Sequence, residues 1–174
     1  MLLMTHASSC RWCPRSPRSR ASRSCSSRPV PMAIRCAGGW FHNCALKKDQ
    51  SIVCWGNNYA GAAEPPSGTF VALDVGSRQG CAIRTDKSLA CWGGTNVAAR
   101  TPPAGDDFTS VACGDESCCA LHEDGSIACW GSIGAPPQGT FAELHLGIGN
   151  ALARRANGTL TCWGRNDYGQ CNLP

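Results

Sequence analysis

The sequence predicts an all-β fold made of four small sheets in tandem, and three observations support this prediction. The tripeptide Cys-Trp-Gly recurs with spacings of 37, 38 and 33 residues, starting at Cys54, Cys91, Cys129 and Cys162. A glycine precedes each of these cysteines by fifteen residues, at Gly39, Gly76, Gly114 and Gly147. A phenylalanine stands six residues before that glycine in three copies, as Phe70, Phe108 and Phe141. Self-similarity at a fixed period is typical of repeat proteins.

Each unit is predicted to contain three short antiparallel strands. In the third unit these are residues 108–113, 118–121 and 126–130, which are rich in β-branched and apolar residues. A three-residue turn with a left-handed last position suits the connection between the second and third strands. Gly125 and Gly158 fit that position, whereas Gln50 and Lys87 should cost roughly 1 kcal/mol each there. We therefore predict less regular hairpins at Gln50 and Lys87.

Stacking of the units follows from their size. A sheet of three or four strands cannot bury both of its faces alone, and about 37 residues per sheet is the period of a propeller blade. The prediction is four tandem β-propeller blades, with a solenoid of sheets as the second choice. The blades are placed near 33–69, 70–107, 108–140 and 141–174. One tryptophan per blade at a fixed register, namely Trp55, Trp92, Trp130 and Trp163, is expected to pack between blades.

The fourteen cysteines are an even number far above ordinary usage, which favours cross-links and an oxidising compartment. The odd hairpin length places three pairs directly across from each other: Cys44 and Cys54, Cys81 and Cys91, Cys119 and Cys129. Such pairs are close enough for disulfides, although buried thiols would suit the same positions. In the fourth unit Leu152 replaces the first cysteine, so Cys162 is expected to be an apolar neighbour of Leu152.

Residues 1–32 differ from the repeats in composition. They are rich in Arg, Ser and Pro and contain no acidic residue, which predicts a disordered tail or a targeting segment such as an organelle transit peptide. Cys10 and Cys13 lack further ligands at zinc spacing. Residues 36–174 carry nine basic and twelve acidic groups, a net charge of −3, so nucleic acid binding is disfavoured. No apolar run is long enough for a membrane-spanning helix.

The segment Gly39-Trp-Phe-His42-Asn-Cys-Ala-Leu46, followed by Cys54-Trp-Gly-Asn57, resembles the regulator of chromosome condensation repeat, as does Trp163-Gly-Arg-Asn166-Asp-Tyr168-Gly-Gln170. The resemblance covers about residues 33–174 and implies blades of a seven-bladed ring. The short blades are similar to those of a bacterial β-lactamase inhibitor protein of this fold, and the paired cysteines to crinkly-type receptor kinase ectodomains. Four units could close a small propeller, share a ring with a second chain, or be part of a longer protein.

The function predicted from these residues is a non-catalytic protein-binding module. No nucleophile elbow, phosphate loop or zinc-protease helix is present, His42 belongs to the blade signature, and we expect neither enzyme activity nor a cofactor or metal. The alternatives are a nucleotide exchange factor for a small GTPase, which the resemblance implies, and a sugar-binding lectin. Partner-binding candidates beside the hairpin turns are Lys47, Arg84, His122 and Arg154. Asn157 is a glycosylation candidate if the chain is secreted, and cysteine pairing favours an extracellular or secretory location.

Overall fold

The computed structural model describes residues 33–174, which form twelve strands and two short 3₁₀ turns. The predictions for residues 1–32, including the Cys10 and Cys13 pair, lie outside the described residues. The strands are β1 (Ala33–Gly38), β2 (His42–Lys47), β3 (Ile52–Gly56), β4 (Phe70–Val75), β5 (Gln79–Arg84), β6 (Leu89–Gly93), β7 (Phe108–Cys113), β8 (Ser117–His122), β9 (Ile127–Gly131), β10 (Phe141–Leu146), β11 (Asn150–Arg155) and β12 (Leu160–Gly164). The 3₁₀ turns are Tyr59–Gly61 and Ala98–Arg100.

The strands form four three-stranded antiparallel sheets, each made of consecutive strands. We call them repeat one (β1–β3), repeat two (β4–β6), repeat three (β7–β9) and repeat four (β10–β12). The first strand of every repeat has a register shift just after its first residue, so the repeats share geometry as well as sequence. The all-β prediction and the four tandem blades are confirmed. Over residues 33–174 the array does not close into a ring.

The hairpins between the second and third strands are more uniform than predicted. Gln50 and Lys87 do adopt left-handed φ angles of 67° and 65°, like the glycines at the same position. The backbone hydrogen bonds of the turn are nevertheless kept in all four repeats, at 2.9–3.1 Å. An aspartate or asparagine one residue earlier accepts hydrogen bonds from the backbone N–H and hydroxyl of the following Ser or Thr. This side-chain turn holds the strained residue in place, so the predicted irregularity is wrong.

The core lies between the repeats rather than within them. Three buried clusters each join side chains of two neighbouring repeats, because each small sheet presents apolar residues on both faces. The backbone adds a hydrogen bond at each junction. The N–H groups of Phe70, Phe108 and Phe141 donate to the carbonyl of the hairpin residue in the preceding repeat, at 2.8, 3.3 and 2.8 Å. Every repeat junction is therefore fixed by both apolar burial and a backbone contact.

The repeated glycines mark the closest approach between neighbouring repeats. A Cβ built on Gly39 would lie 2.4 Å from the Gly76 carbonyl oxygen, one on Gly76 would lie 1.8 Å from that of Gly114, and one on Gly114 would lie 2.3 Å from that of Gly147. The Ser77 N–H donates to the same Gly114 oxygen at 3.2 Å. No side chain fits in this space, which explains the glycine at this position in repeats one, two and three.

The tryptophans depend on the linker that precedes their repeat. The indole N–H of Trp92 donates to the Ala62 carbonyl at 3.1 Å, and that of Trp130 donates to the Ala99 carbonyl at 2.9 Å. Both acceptors lie in or beside the two 3₁₀ turns. The linker before repeat four is shorter, and the buried Nε1 of Trp163 has no hydrogen-bond partner. Trp55 is 41% exposed, so burial between repeats holds for Trp92 and Trp130 but not for every copy.

Disulfides connect the strands inside the repeats. The structure contains the three cross-strand bonds considered above, Cys44–Cys54, Cys81–Cys91 and Cys119–Cys129. It adds Cys113–Cys118 and Cys162–Cys171, and Cys36 is disulfide-bonded as well. Cys162 does lie opposite Leu152 in the sheet, as predicted, but the expectation that it would lack a disulfide partner is wrong. Its partner comes from the segment after β12, where no strand register could indicate a pairing.

Candidate protein-binding surface

The topology separates the surface loops into two groups. The hairpins between the second and third strands lie at one end of the sheets, which we call the hairpin end. The turns between the first and second strands, residues 39–41, 76–78, 114–116 and 147–149, lie at the opposite end, which we call the turn end. Each linker leaves from the turn end, as the N–H groups of Asn57, Ser132 and Arg165 bond to carbonyls of these turns at 2.7–2.9 Å.

At the hairpin end, two of the predicted binding residues contact a phenylalanine of their own repeat. The Arg84 guanidinium lies 5.2 Å from the centre of the Phe70 ring, and His122 stacks on Phe108 with 4.5 Å between ring centres. The His122 ring nitrogen is also 2.8 Å from an Asp107 carboxylate oxygen. These contacts cover the phenylalanine that opens repeat two and repeat three. A partner at this end would have to compete with them.

The other two hairpin-end candidates behave differently. Lys47 pairs with Asp49 at 3.1 Å on the surface, since repeat one has no phenylalanine at this register. Arg154 is wrongly aligned, because Arg155 makes the backbone contact that corresponds to Lys47, Arg84 and His122. The Arg155 guanidinium lies 4.7 Å from the Phe141 ring centre, whereas Arg154 forms an ion pair with Glu143 at 2.9 Å. Neighbouring strand residues point to opposite faces, so a slip of one residue changes the surface reached.

The turn end carries exposed aromatic side chains with few contacts of their own. Trp40 and Phe41 form the turn of repeat one, are 52% and 65% exposed, and meet edge to face with 6.4 Å between ring centres. Tyr59, in the linker that follows, is 59% exposed, and the Arg78 guanidinium lies 5.4 Å from its ring centre. No ion pair or hydrogen bond of the Arg78 side chain is found among residues 33–174. Aromatic residues and arginine are the types enriched in binding hot spots.

Two concave sites share Arg78 at the turn end of repeats one to three. A pocket of about 240 Å³ is lined by aromatic and polar groups, including Phe41, Tyr59, Asn57, Ser77 and Arg78. A smaller cleft of about 80 Å³ lies on the other side of Arg78 and is bounded by Trp40, Asp115 and Glu116. Together they form a surface with an apolar centre, one cation and, next to it, two carboxylates. We call Trp40, Phe41, Tyr59 and Arg78 the aromatic site.

Buried polar groups near this end have structural roles. His42 is 1% exposed, and burial lowers the pKa of its imidazole because the charged form is desolvated. It packs against Gly39, as the Gln79 side chain packs at the same register of repeat two and donates to the Gly114 carbonyl at 3.4 Å. Burial raises the pKa of Asp74, although its carboxylate accepts the Cys113 N–H at 2.8 Å. Within the described residues, neither group is hydrogen-bonded to a Ser, Thr or Cys side chain.

The sequence reasoning missed the aromatic site, although a signal was present. Aligning the four turns at their glycines shows Trp40-Phe41 in repeat one where the other repeats have Ser-Arg, Asp-Glu and Ile-Gly. A turn has no folding need for two large aromatic side chains, so this departure points to binding. Asn157 lies at an exposed hairpin tip, where its side-chain oxygen accepts hydrogen bonds from Thr159, and its glycosylation stays a prediction.

Small sheets that stack face to face, with their turns collected at one end, define a repeat protein of the β-propeller class. The sequence profile of the regulator of chromosome condensation (RCC1) repeat matches residues 36–62, 108–132 and 146–170, in repeats one, three and four. Repeats one, three and four therefore match the RCC1 repeat, and repeat two shares their three-stranded topology. A comparison with curated proteins gives no match. No helix in residues 33–174 is long and apolar enough to cross a membrane.

Solved structures share the fold. The ectodomain of receptor kinase CR4 from Physcomitrella patens is 24% identical, with a TM-score of 0.66 over 76% of this chain. The CRINKLY WD40 ectodomain of ACR4 from Arabidopsis thaliana is 25% identical, with a TM-score of 0.62 over 74% of this chain. Prp20p from Saccharomyces cerevisiae is 16% identical, with a TM-score of 0.72 over 84% of this chain. The chain spans 41%, 49% and 49% of these three proteins, respectively.

Proposed function

We propose that this chain is a non-catalytic protein-binding module and that its partner docks on the aromatic site at the turn end. The observation that carries this proposal is the exposed cluster of Trp40, Phe41 and Tyr59 beside Arg78, which forms no ion pair with any residue of the described range. Exposed aromatic rings leave a large apolar area in contact with water. Burial of that area under a partner supplies most of the favourable free energy of binding. At the hairpin end, by contrast, Arg84 and Arg155 already cover phenylalanine rings, and Lys47 is paired with Asp49.

The structural neighbours support a protein partner in general terms. The structure of Prp20p, the yeast RCC1, was described together with its binding to Gsp1p and histones, and a second structure has the same protein bound to Kap60. One relative of this fold therefore has several protein partners. The net charge of −3 on residues 36–174 favours a protein over a nucleic acid as the partner here.

The test compares matched variants at the two ends. The oxidised full chain is used to capture a partner, and the affinity of the purified partner is then measured by calorimetry. Arg78→Glu and Trp40→Ala should each weaken binding by about 2 kcal/mol, roughly thirtyfold, because they remove central contacts. Lys48→Glu makes the same charge change at the exposed hairpin end and should leave the affinity unchanged. Val71→Ala is the corresponding control for an exposed apolar residue.

The opposite pattern would refute the proposal. If Lys48→Glu weakened binding while the two turn-end variants did not, the partner would use the hairpin end. If only nucleic acid or small molecules bound the chain, the protein-binding function itself would be wrong. Thermal unfolding of each variant shows whether a lost affinity comes from the surface or from a damaged fold.

A further inference from the structure

Two disulfides from neighbouring repeats touch each other in the core. The Cys81 sulfur, bonded to Cys91 in repeat two, lies 3.5 Å from the Cys118 sulfur, which is bonded to Cys113 in repeat three. Cys81 and Cys118 are fully buried, and Cys113 is 6% exposed. This distance is a van der Waals contact between sulfur atoms that are not bonded to each other. The side chains around them are apolar, including Ile83 and Phe108.

The contact is specific to this junction among the described repeats. At the register of Cys118, the other repeats carry Asn43, Gly80 and Ala151. The Cys81 sulfur of repeat two therefore contacts a second disulfide in repeat three. At the other two junctions, repeats two and four carry no cysteine at the position of Cys118. The Cys113–Cys118 bond is an addition to the regular pattern. It stands where it can react with the regular bond of the preceding repeat.

We infer that these four cysteines form a disulfide-exchange site, at which a small thiol such as glutathione converts two bonds within repeats into a Cys81–Cys118 bond between repeats. Disulfides exchange by attack of a thiolate on a disulfide sulfur, so a thiolate held in contact with another disulfide is placed to react. None of the five disulfides that join described residues connects two repeats. The exchange product would be such a connection.

The steps balance without an added oxidant. Cys91 is more exposed than its partner Cys81, so the glutathione thiolate attacks the Cys91 sulfur. The Cys81–Cys91 bond breaks, and its electron pair leaves on Cys81. The Cys81 thiolate attacks the Cys118 sulfur, the Cys113–Cys118 bond breaks, and Cys113 takes up the proton that glutathione lost. Two disulfides are present before and after: glutathione with Cys91, and Cys81 with Cys118.

The experiment treats the native full chain with limiting reduced glutathione, blocks free thiols with an alkylating agent, and maps the bonds by mass spectrometry. Cleavage after Arg84, Arg100 and Glu116 separates the four cysteines, and fragmentation distinguishes Cys118 from Cys119. The expected products are a peptide linking Cys81 to Cys118, glutathione on Cys91 and an alkylated Cys113. Glutathione on Cys91 together with an alkylated Cys81 and an intact Cys113–Cys118 bond would overturn the inference.

A pair of variants provides an independent test. The double variant Cys91→Ser and Cys113→Ser leaves Cys81 and Cys118 as neighbouring thiols, and mild oxidation should link them. The matched control, Cys54→Ser and Cys129→Ser, leaves Cys44 and Cys119 in repeats one and three. We expect at least roughly tenfold more linked product in the first variant, because only that pair is in contact. Equal yields would contradict the inference, and if the first variant does not fold, the native-chain experiment decides.

Discussion

The most informative perturbation of the fold is Gly76→Ala. The added methyl group would lie 1.8 Å from the Gly114 carbonyl oxygen, which belongs to the backbone of repeat three and cannot rotate away. Forcing extra volume into such a contact costs about 1–3 kcal/mol. The Ser77 N–H bond to the same oxygen, 3.2 Å long, would be strained or lost for about another 1 kcal/mol. We therefore expect a loss of about 2–4 kcal/mol in the free energy of unfolding.

Urea unfolding of the oxidised protein, followed by tryptophan fluorescence, measures this loss. At about 2–4 °C per kcal/mol for a domain of this size, the melting temperature should fall by about 5–15 °C. Gly134→Ala is the control, since a Cβ there meets nothing within 4 Å. Gly147→Ala should lose less stability than Gly76→Ala, because the nearest neighbour of the added Cβ is the Asn150 side-chain oxygen, at 2.7 Å, which can move. If Gly76→Ala were as stable as Gly134→Ala, the close packing of the repeats would be refuted.

Three further predictions concern single interactions, each measured by urea unfolding. Trp92→Phe should cost about 1–2 kcal/mol more than Trp163→Phe, because only Trp92 loses a hydrogen bond, to the Ala62 carbonyl; equal losses would contradict the account. Gln50→Gly should stabilise the chain by about 0.5–1 kcal/mol, since its φ is 67°, and destabilisation would count against the strained turn. Asp74→Asn should stabilise the chain relative to wild type increasingly as pH rises above 3.8. Burial raises the pKa of Asp74, so the neutral carboxyl stabilises the folded wild type below pH 3.8, and this stabilisation is lost as the pH rises through the raised pKa. A stability difference between the variant and wild type that does not change with pH would contradict this.

Much of the fold could be predicted from the sequence because every repeat packs against its neighbours with the same residues at the same spacing. The fixed spacing of Gly, Cys and Trp locates the strands, and the hairpin length alone puts Cys44 opposite Cys54 and its counterparts opposite each other. The predictions that were wrong concern features that the repeated residue pattern does not determine. The Cys162–Cys171 pairing depends on the path of a segment without regular strands. The hairpins are uniform because side-chain hydrogen bonds hold their turns, and the backbone preference of Gln50 alone does not indicate those bonds.

The binding surface was harder to predict than the fold. Their common position beside the hairpins suggested Lys47, Arg84, His122 and Arg154, but a cationic or imidazole side chain at this register also covers the phenylalanine ring of repeats two and three. The exposed turn that carries Trp40 and Phe41 has no charge and no periodic pattern, so it stands out only when the repeats are aligned with one another at their glycines. Function in repeat proteins lies where one copy departs from the others, and this departure requires the common geometry first.

Amide exchange of phenylalanine residues tests the stacking of the repeats most directly. The chain has four phenylalanines, so ¹⁵N-phenylalanine labelling gives four backbone signals. The N–H groups of Phe70, Phe108 and Phe141 each bond to a carbonyl of the preceding repeat, whereas Phe41 lies on an exposed turn. The structure predicts three slowly exchanging signals and one fast signal from Phe41. Four signals that exchange at the rate of Phe41 would show that neighbouring repeats do not pack together.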